Sequence, residues 1–225
     1  MKPDATTDMK ALYAFLQNLA DNNNRTWFGE HKEYYDRLRA WWIGQLQILI
    51  DRMAMFDPSL AHVQARDCLY RIYRDTRFSP DKTPYKTYFS ALISPTGRHC
   101  DRACYYFHQG VDESALYAGV WCPEPRMLRK LRKAIIDNVD EFRAITETPD
   151  IERHFPGWYG NQLKTAPKGY DRNHPDIDLL RLTEYGKCCE LPRDFFFDPG
   201  WQEKAAHLYY LLKPMNDFLN YSIDE

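Results

Sequence analysis

Residues 103–121 read Ala103-Cys104-Tyr105-Tyr106-Phe107-His108-Gln109-Gly110-Val111-Asp112-Glu113-Ser114-Ala115-Leu116-Tyr117-Ala118-Gly119-Val120-Trp121. Two runs rich in strand-forming residues, 103–109 and 115–121, flank the turn-prone joint Gly110 to Ser114. A parallel crossover needs a dozen or more residues, so a joint this short makes the two runs antiparallel neighbours. Working outward, Pro95-Thr96-Gly97 is another turn. It joins a strand over 86–94, and a weaker alternation over 68–73 precedes that. The expectation is an antiparallel meander, extended by a later strand over 185–191, in a mainly antiparallel sheet of three to six strands.

Helical periodicity surrounds the meander. Residues 8–20 place Leu12, Phe15, Leu16 and Leu19 on one face, with Thr7 or Asp8 as cap. Asp21-Asn22-Asn23-Asn24 breaks that helix, and Asn24 caps a long one over 25–55 that ends at Asp57-Pro58. Pro125 opens a helix over 125–147. A short helix over 149–155, a turn-rich stretch over 156–175 and a helix over 176–183 follow. The last helix spans 199–222, with a kink or break at Pro214. No repeat or Gly/Ser linker divides the chain. The reading is a single α+β domain over 1–225, with helices packed around the sheet.

At 225 residues the chain is long enough to bury a sizeable core, and aromatics make up 15% of it. A net charge of −2 with both signs interspersed argues against bulk binding to nucleic acid or to an acidic membrane face. No run approaches the roughly 20 apolar residues of a membrane span. Met1-Lys2-Pro3-Asp4 lacks the apolar core of a signal peptide. The six cysteines, with no export signal, read as free thiols of a cytoplasmic protein.

The charge is concentrated around Arg71-Ile72-Tyr73-Arg74-Asp75-Thr76-Arg77-Phe78-Ser79-Pro80-Asp81-Lys82-Thr83-Pro84-Tyr85-Lys86. From 66 to 86, Arg66, Arg71, Arg74, Arg77, Lys82 and Lys86 face only Asp67, Asp75 and Asp81. Guanidinium forks suit carboxylate and phosphate. The functional reading is an anion site in which Arg71, Arg74, Arg77, Lys82, Tyr85 and Lys86 bind and Asp75 orients an arginine or acts as acid or base. The competing reading is an internal salt-bridge network. A second basic stretch, Lys164-Thr165-Ala166-Pro167-Lys168-Gly169-Tyr170, brings Lys164 and Lys168 to the same site or stays a solvated loop.

These segments, with Asn23-Asn24-Arg25-Thr26-Trp27-Phe28, resemble a largely bacterial family of conserved hypothetical proteins catalogued as a domain of unknown function. Its hallmark is an R-x-x-R-D-x-R-F run followed by D/N-K-x-x-Y. The resemblance covers about 12–218. It implies a single soluble domain and carries over no activity, cofactor or catalytic residue.

Other groups carry weaker signals. His31 follows Trp27 by one helical turn and is a candidate acid or base, although a packed histidine is the simpler account. Arg126, Arg129, Lys130, Arg132 and Lys133 crowd the first half of the 125–147 helix, against its macrodipole. His99-Cys100 with Cys104 lacks the second ligand pair of a zinc site, and Cys188-Cys189 point apart on a strand, so no metal is expected. The common nucleotide fingerprints, G-x-x-x-x-G-K-S/T and G-x-G-x-x-G, are absent, and no cofactor is called for. The leading function is binding of a phosphate- or carboxylate-bearing small molecule, extending to catalysis if the cations stabilise developing charge. The alternatives are a nucleic-acid-binding module, with weak and salt-sensitive affinity, and a partner-binding protein whose Arg/Asp run is structural. Thiol titration of the freshly purified, unfolded chain should find six groups; a deficit of two or more would show disulfides.

Overall fold

Side-chain caps start the first two helices. Asp8 accepts from the Ala11 N–H at 2.8 Å and opens α1 (Met9–Asp21). Asn24 accepts from Trp27 N–H at 2.9 Å and opens α2 (Arg25–Met53). This computed structural model describes residues 7–225; the Met1-Lys2-Pro3-Asp4 opening lies outside them. A one-turn 3-10 helix (Pro58–Leu60) and the short α3 (Ala65–Cys68) lead to β1 (Tyr88–Ile93), β2 (Cys104–Gly110) and β3 (Ser114–Val120). Then come α4 (Pro125–Asp137), α5 (Val139–Thr146), α6 (Pro149–His154), α7 (Ile177–Leu180), β4 (Tyr185–Glu190), a 3-10 turn (Arg193–Phe197) and α8 (Trp201–Asp224). The four strands form one antiparallel sheet in chain order, β1-β2-β3-β4, so the fold is α+β with more helix than strand.

Four expectations need correction. Residues 69–73 pair with β1 and its approach through the isolated bridges Leu69–Ala91 and Tyr73–Tyr85, not as a full strand, and Cys68 closes α3. Tyr70 N–H donates to Ser90, but Lys86 N–H donates to Ile72. Residues 70 to 72 therefore run against 86 to 90, a bulge that interrupts the ladder. Pro84, whose carbonyl accepts from Arg74, has no N–H to return. The 125–147 helix is two helices, because Asn138 leaves helical geometry at φ −132° and ψ 39°. The 176–183 helix shrinks to α7: the Asp176 carboxylate is bound to Arg143 at 3.0 Å and caps nothing. Finally, α8 runs through Pro214, so the helix does not break there.

By their contacts the residues gather into two units. One holds the chain up to Arg98 with Tyr106–Leu116 and Glu190–Ala206; the other holds His99–Tyr105, Tyr117–Cys189 and His207–Glu225. In the first, buried Trp42 of α2 lies 5.1 Å from the Phe89 ring and 5.9 Å from Phe107. Its indole N–H donates to Gln109 at 2.7 Å, which satisfies both polar groups in the interior. Tyr35 stacks on Phe89 and Trp201 packs on Phe107. Phe89, Phe107 and Gln109 thus turn one face of β1 and β2 toward helices. Strand alternation sends Tyr88, Ser90, Tyr106 and His108 to the other face. In the second unit, Phe142 packs against Trp158, Tyr185 and Phe218.

Gly119 permits the close approach of β3 and β4 in that unit. Its φ is +136°, and a Cβ there would meet the Tyr185 carbonyl oxygen at 2.1 Å. Gly169, at φ +97°, has open space around it. Gly119→Ala should therefore cost several kcal/mol in urea unfolding, against about 1–3 kcal/mol of backbone strain alone for Gly169→Ala. Equal losses would mean that β4 does not rest on a bare backbone at 119.

Candidate functional site

The Arg/Asp run forms the far end of the paired segments 69–74 and 84–91. Its connecting loop, 75–83, is held by its own acids. Arg74 binds the Asp81 carboxylate and the Thr83 hydroxyl through Nη1, and reaches Ser79 Oγ at 3.4 Å. Arg77 sets its fork on Asp75, with Nε to Oδ1 at 3.0 Å and Nη2 to Oδ2 at 2.7 Å. Lys82 donates to the Thr76 carbonyl at 2.9 Å. These bonds hold both carboxyls at about 2, below the ordinary 3.8: Asp75 through the Arg77 fork, Asp81 through Arg74.

Asn23 ties this hairpin to the α1–α2 corner. Its Nδ2 donates to the Tyr85 carbonyl at 2.9 Å, and its Oδ1 accepts from Tyr85 N–H at 3.1 Å. The buried Tyr85 ring stacks 4.0 Å from Phe28. The two sequence segments singled out above are thus one structural joint. His31 stacks on Trp27 at 4.0 Å and its Nδ1 lies 2.8 Å from the Trp27 carbonyl, so it is engaged within α2.

Two cations of the run remain. Arg71 is exposed and makes no hydrogen bond or ion pair among the described residues. Lys86 is half-buried, with Nζ 5.4 Å from the Tyr70 ring centre and 5.5 Å from that of Tyr88, and it too has no acid partner among them. Burial, and then the Arg71 charge, lower the Lys86 pKa.

On the same face, Tyr88 packs 4.2 Å from His108, which is only 8% exposed. The Tyr106 hydroxyl lies 3.2 Å from His108 Nδ1, on the same face as buried Ser90. Burial pushes the Tyr106 phenol up to about 12 and pulls the His108 imidazole down, so both are neutral at pH 7. In the tautomer where the phenol donates to Nδ1, the ring proton sits on Nε2. That atom is buried without a hydrogen-bond partner; Glu113 Oε1, on an exposed side chain, is 3.8 Å away. The arrangement offers a point charge, an N–H donor and aromatic walls, which is a chemistry for oxyanions with an acid–base group beside it.

Sequence reasoning singled out Arg71 and Lys86 but not Tyr70, Tyr88, Tyr106 or His108. The signal was present: Lys86, Tyr88 and Ser90 alternate on one strand, as do Tyr106 and His108 on its neighbour. Lys164 and Lys168 are exposed members of the second unit. No group of three His, Cys, Asp or Glu residues able to hold a metal occurs among the described residues. All six cysteines are free. No helix of the described residues is long and apolar enough to cross a membrane.

Comparison with known families matches residues 11–218 to the family described as conserved hypothetical protein (DUF2461). The chain belongs to this family. No curated protein and no solved structure matches it. The match spans the hairpin, the Asn23 joint and the sheet face that carries His108.

The paired loop gives a pH test. A carboxyl held below its ordinary value contributes stability that is complete above 3.8 and disappears as pH falls through about 2. Carboxyl carbon resonances of Asp75 and Asp81 should therefore titrate near 2, and Arg77→Ala should return Asp75 alone to the usual range. A wild-type Asp75 midpoint near 3.8 would show that the Arg77 fork does not hold it.

Proposed function

We propose that the first unit binds a phosphate- or carboxylate-bearing small molecule on the sheet face formed by Arg71, Lys86 and His108, with Tyr70, Tyr88 and Tyr106 as walls. The observation that carries this reading is Lys86: a half-buried ammonium with no acid partner among the described residues. Removing a charge from water costs several kcal/mol in rough terms unless an opposite charge compensates. An anion seated between Lys86 and Arg71 supplies that charge and accepts the His108 Nε2 proton. The hairpin loop, with Arg74, Asp75, Arg77 and Lys82, acts as the frame that fixes where Arg71 and Lys86 emerge. This supports dividing the basic run into a framing part and a binding part. His108, neutral beside a bound anion, is the group to exchange a proton with it, so the reading extends to catalysis. We infer a cytoplasmic location from the cysteines, since six free thiols fit a reducing compartment.

The test is a phosphate titration at fixed ionic strength, followed by imidazole nitrogen resonances. His108 Nε2 should shift saturably in wild type, and Lys86→Met should weaken that response at least tenfold. Ligand at a hundred times Kd should add about 2.7 kcal/mol of stability. An unresponsive His108, or an equal response in Lys86→Met, would make the run structural throughout.

A further inference from the structure

The second unit buries three cationic side chains in quite different ways. Lys187 of β4 is 1% exposed and fully provided for. It bonds Glu152 at 3.1 Å and the carbonyls of Phe155 and Gly157 at 3.3 and 3.0 Å, under the Trp158 ring. Half-buried Arg143 of α5 collects Glu147, Asp176 and Asp178. Arg132 of α4 is 7% exposed and has no acid among the described residues. Its Nη2 donates to the Leu182 carbonyl at 2.7 Å, and its charge opposes the rise that burial gives the Tyr185 phenol. Its Nε is buried with no acceptor.

One neutral carbonyl does not offset a buried guanidinium charge. Several acids of this unit are engaged elsewhere. Asp176 and Asp178 hold Arg143, Glu152 holds Lys187, Asp137 holds Lys133, and Glu184 accepts from Cys122 N–H at 3.2 Å. What borders Arg132 instead is the second basic stretch. Gln162 bridges Leu182, the residue that accepts from Arg132, and Leu163 N–H donates to Arg181 at 2.7 Å. Lys164 and Lys168 follow directly on this strand-like pair and are exposed. Gly169, with open space around it, turns the chain toward Tyr170, which lies within electrostatic range of both Tyr185 and Lys133.

We propose that Arg132 is the floor of a second anion site: its Nε–H takes one oxygen of a small oxyanion, phosphate or carboxylate, with the exposed Lys164 and Lys168 as point charges at the mouth. Buried Arg132 supplies geometry, because a guanidinium edge presents fixed donors. The lysines supply approach. This site stands on residues of the second unit alone and does not depend on the function proposed for the first.

The experiment uses the full chain carrying Lys86→Met, which removes the first site's central charge. Melting temperature is followed against phosphate and, separately, malonate, with chloride holding ionic strength constant. The Lys86→Met chain should gain about 5–10 °C at a hundredfold excess over Kd. Adding Arg132→Met should abolish the gain. Without anion, that double variant should melt at or above its parent, because an uncompensated charge has been removed. With saturating anion the order should reverse. A rise in phosphate alone identifies a phosphoryl ligand, and one in malonate alone a carboxylate. Equal loss at every anion concentration would make Arg132 a structural donor to Leu182 and overturn the proposal. If the double variant does not fold, the Arg132 Nε–H resonance of the Lys86→Met chain decides: a saturable shift with either anion supports the site, and none refutes it.

Discussion

One carboxamide fixes the frame of the first unit. Asn23 bonds both the N–H and the carbonyl of Tyr85, a residue 62 positions away. A residue held at both its N–H and its carbonyl by one planar group can neither slide along its neighbour nor roll. The Tyr85 ring is thereby pressed against Phe28, and the next residue, Lys86, must leave in the opposite direction, toward the open face of the sheet. Asparagine suits this place because it is both donor and acceptor within one planar group. Aspartate would offer two acceptors and leave the Tyr85 carbonyl without a donor.

The charge distribution follows from that frame. Arg74 and Arg77 are exposed enough that their local acids neutralise them cheaply, and such pairs contribute little to stability. Lys86 is drawn between tyrosine rings, where cation–π attraction is real but smaller than an ion pair. The polar face of β1 and β2 is only partly open to solvent. It keeps a cation, an imidazole and a phenol at partial or full burial, the condition under which such groups bind or react rather than merely dissolve.

Much of the fold was legible because its signals are local. Asp8 and Asn24 cap because their side chains reach a nearby N–H, and the joint 110–114 is too short for anything but an antiparallel turn. What was hidden depends on distant partners. Residues 176–183 read as one helix, but Arg143 takes the Asp176 carboxylate and only Ile177–Leu180 are helical. Pro214 reads as a place where the helix could break, yet α8 continues through it. The basic run was legible as a concentration of charge, but sequence gives no distances, so the division between paired Arg74 and Arg77 and unpaired Arg71 and Lys86 was not. His108 was hidden inside an aromatic strand, where its neighbours Tyr105 and Phe107 read as core.

The bare backbone at Gly119 bears on the order in which the chain assembles. Strands β1 to β3 are joined by short connections, so their pairing closes small loops. β4 reaches β3 only after all of 121–184 has been threaded away from the sheet. Closing a larger loop carries a greater entropic cost, and that contact is rewarded only once it forms. Loop-closure entropy therefore favours a meander that pairs before its last strand docks, with β3 as the sheet edge until then. A glycine there lets the late strand dock without displacing a side chain, but it also leaves the waiting edge smooth and open to a strand from another molecule. The same residue that admits β4 makes the interval before its arrival the time when the nascent chain is most exposed to aggregation.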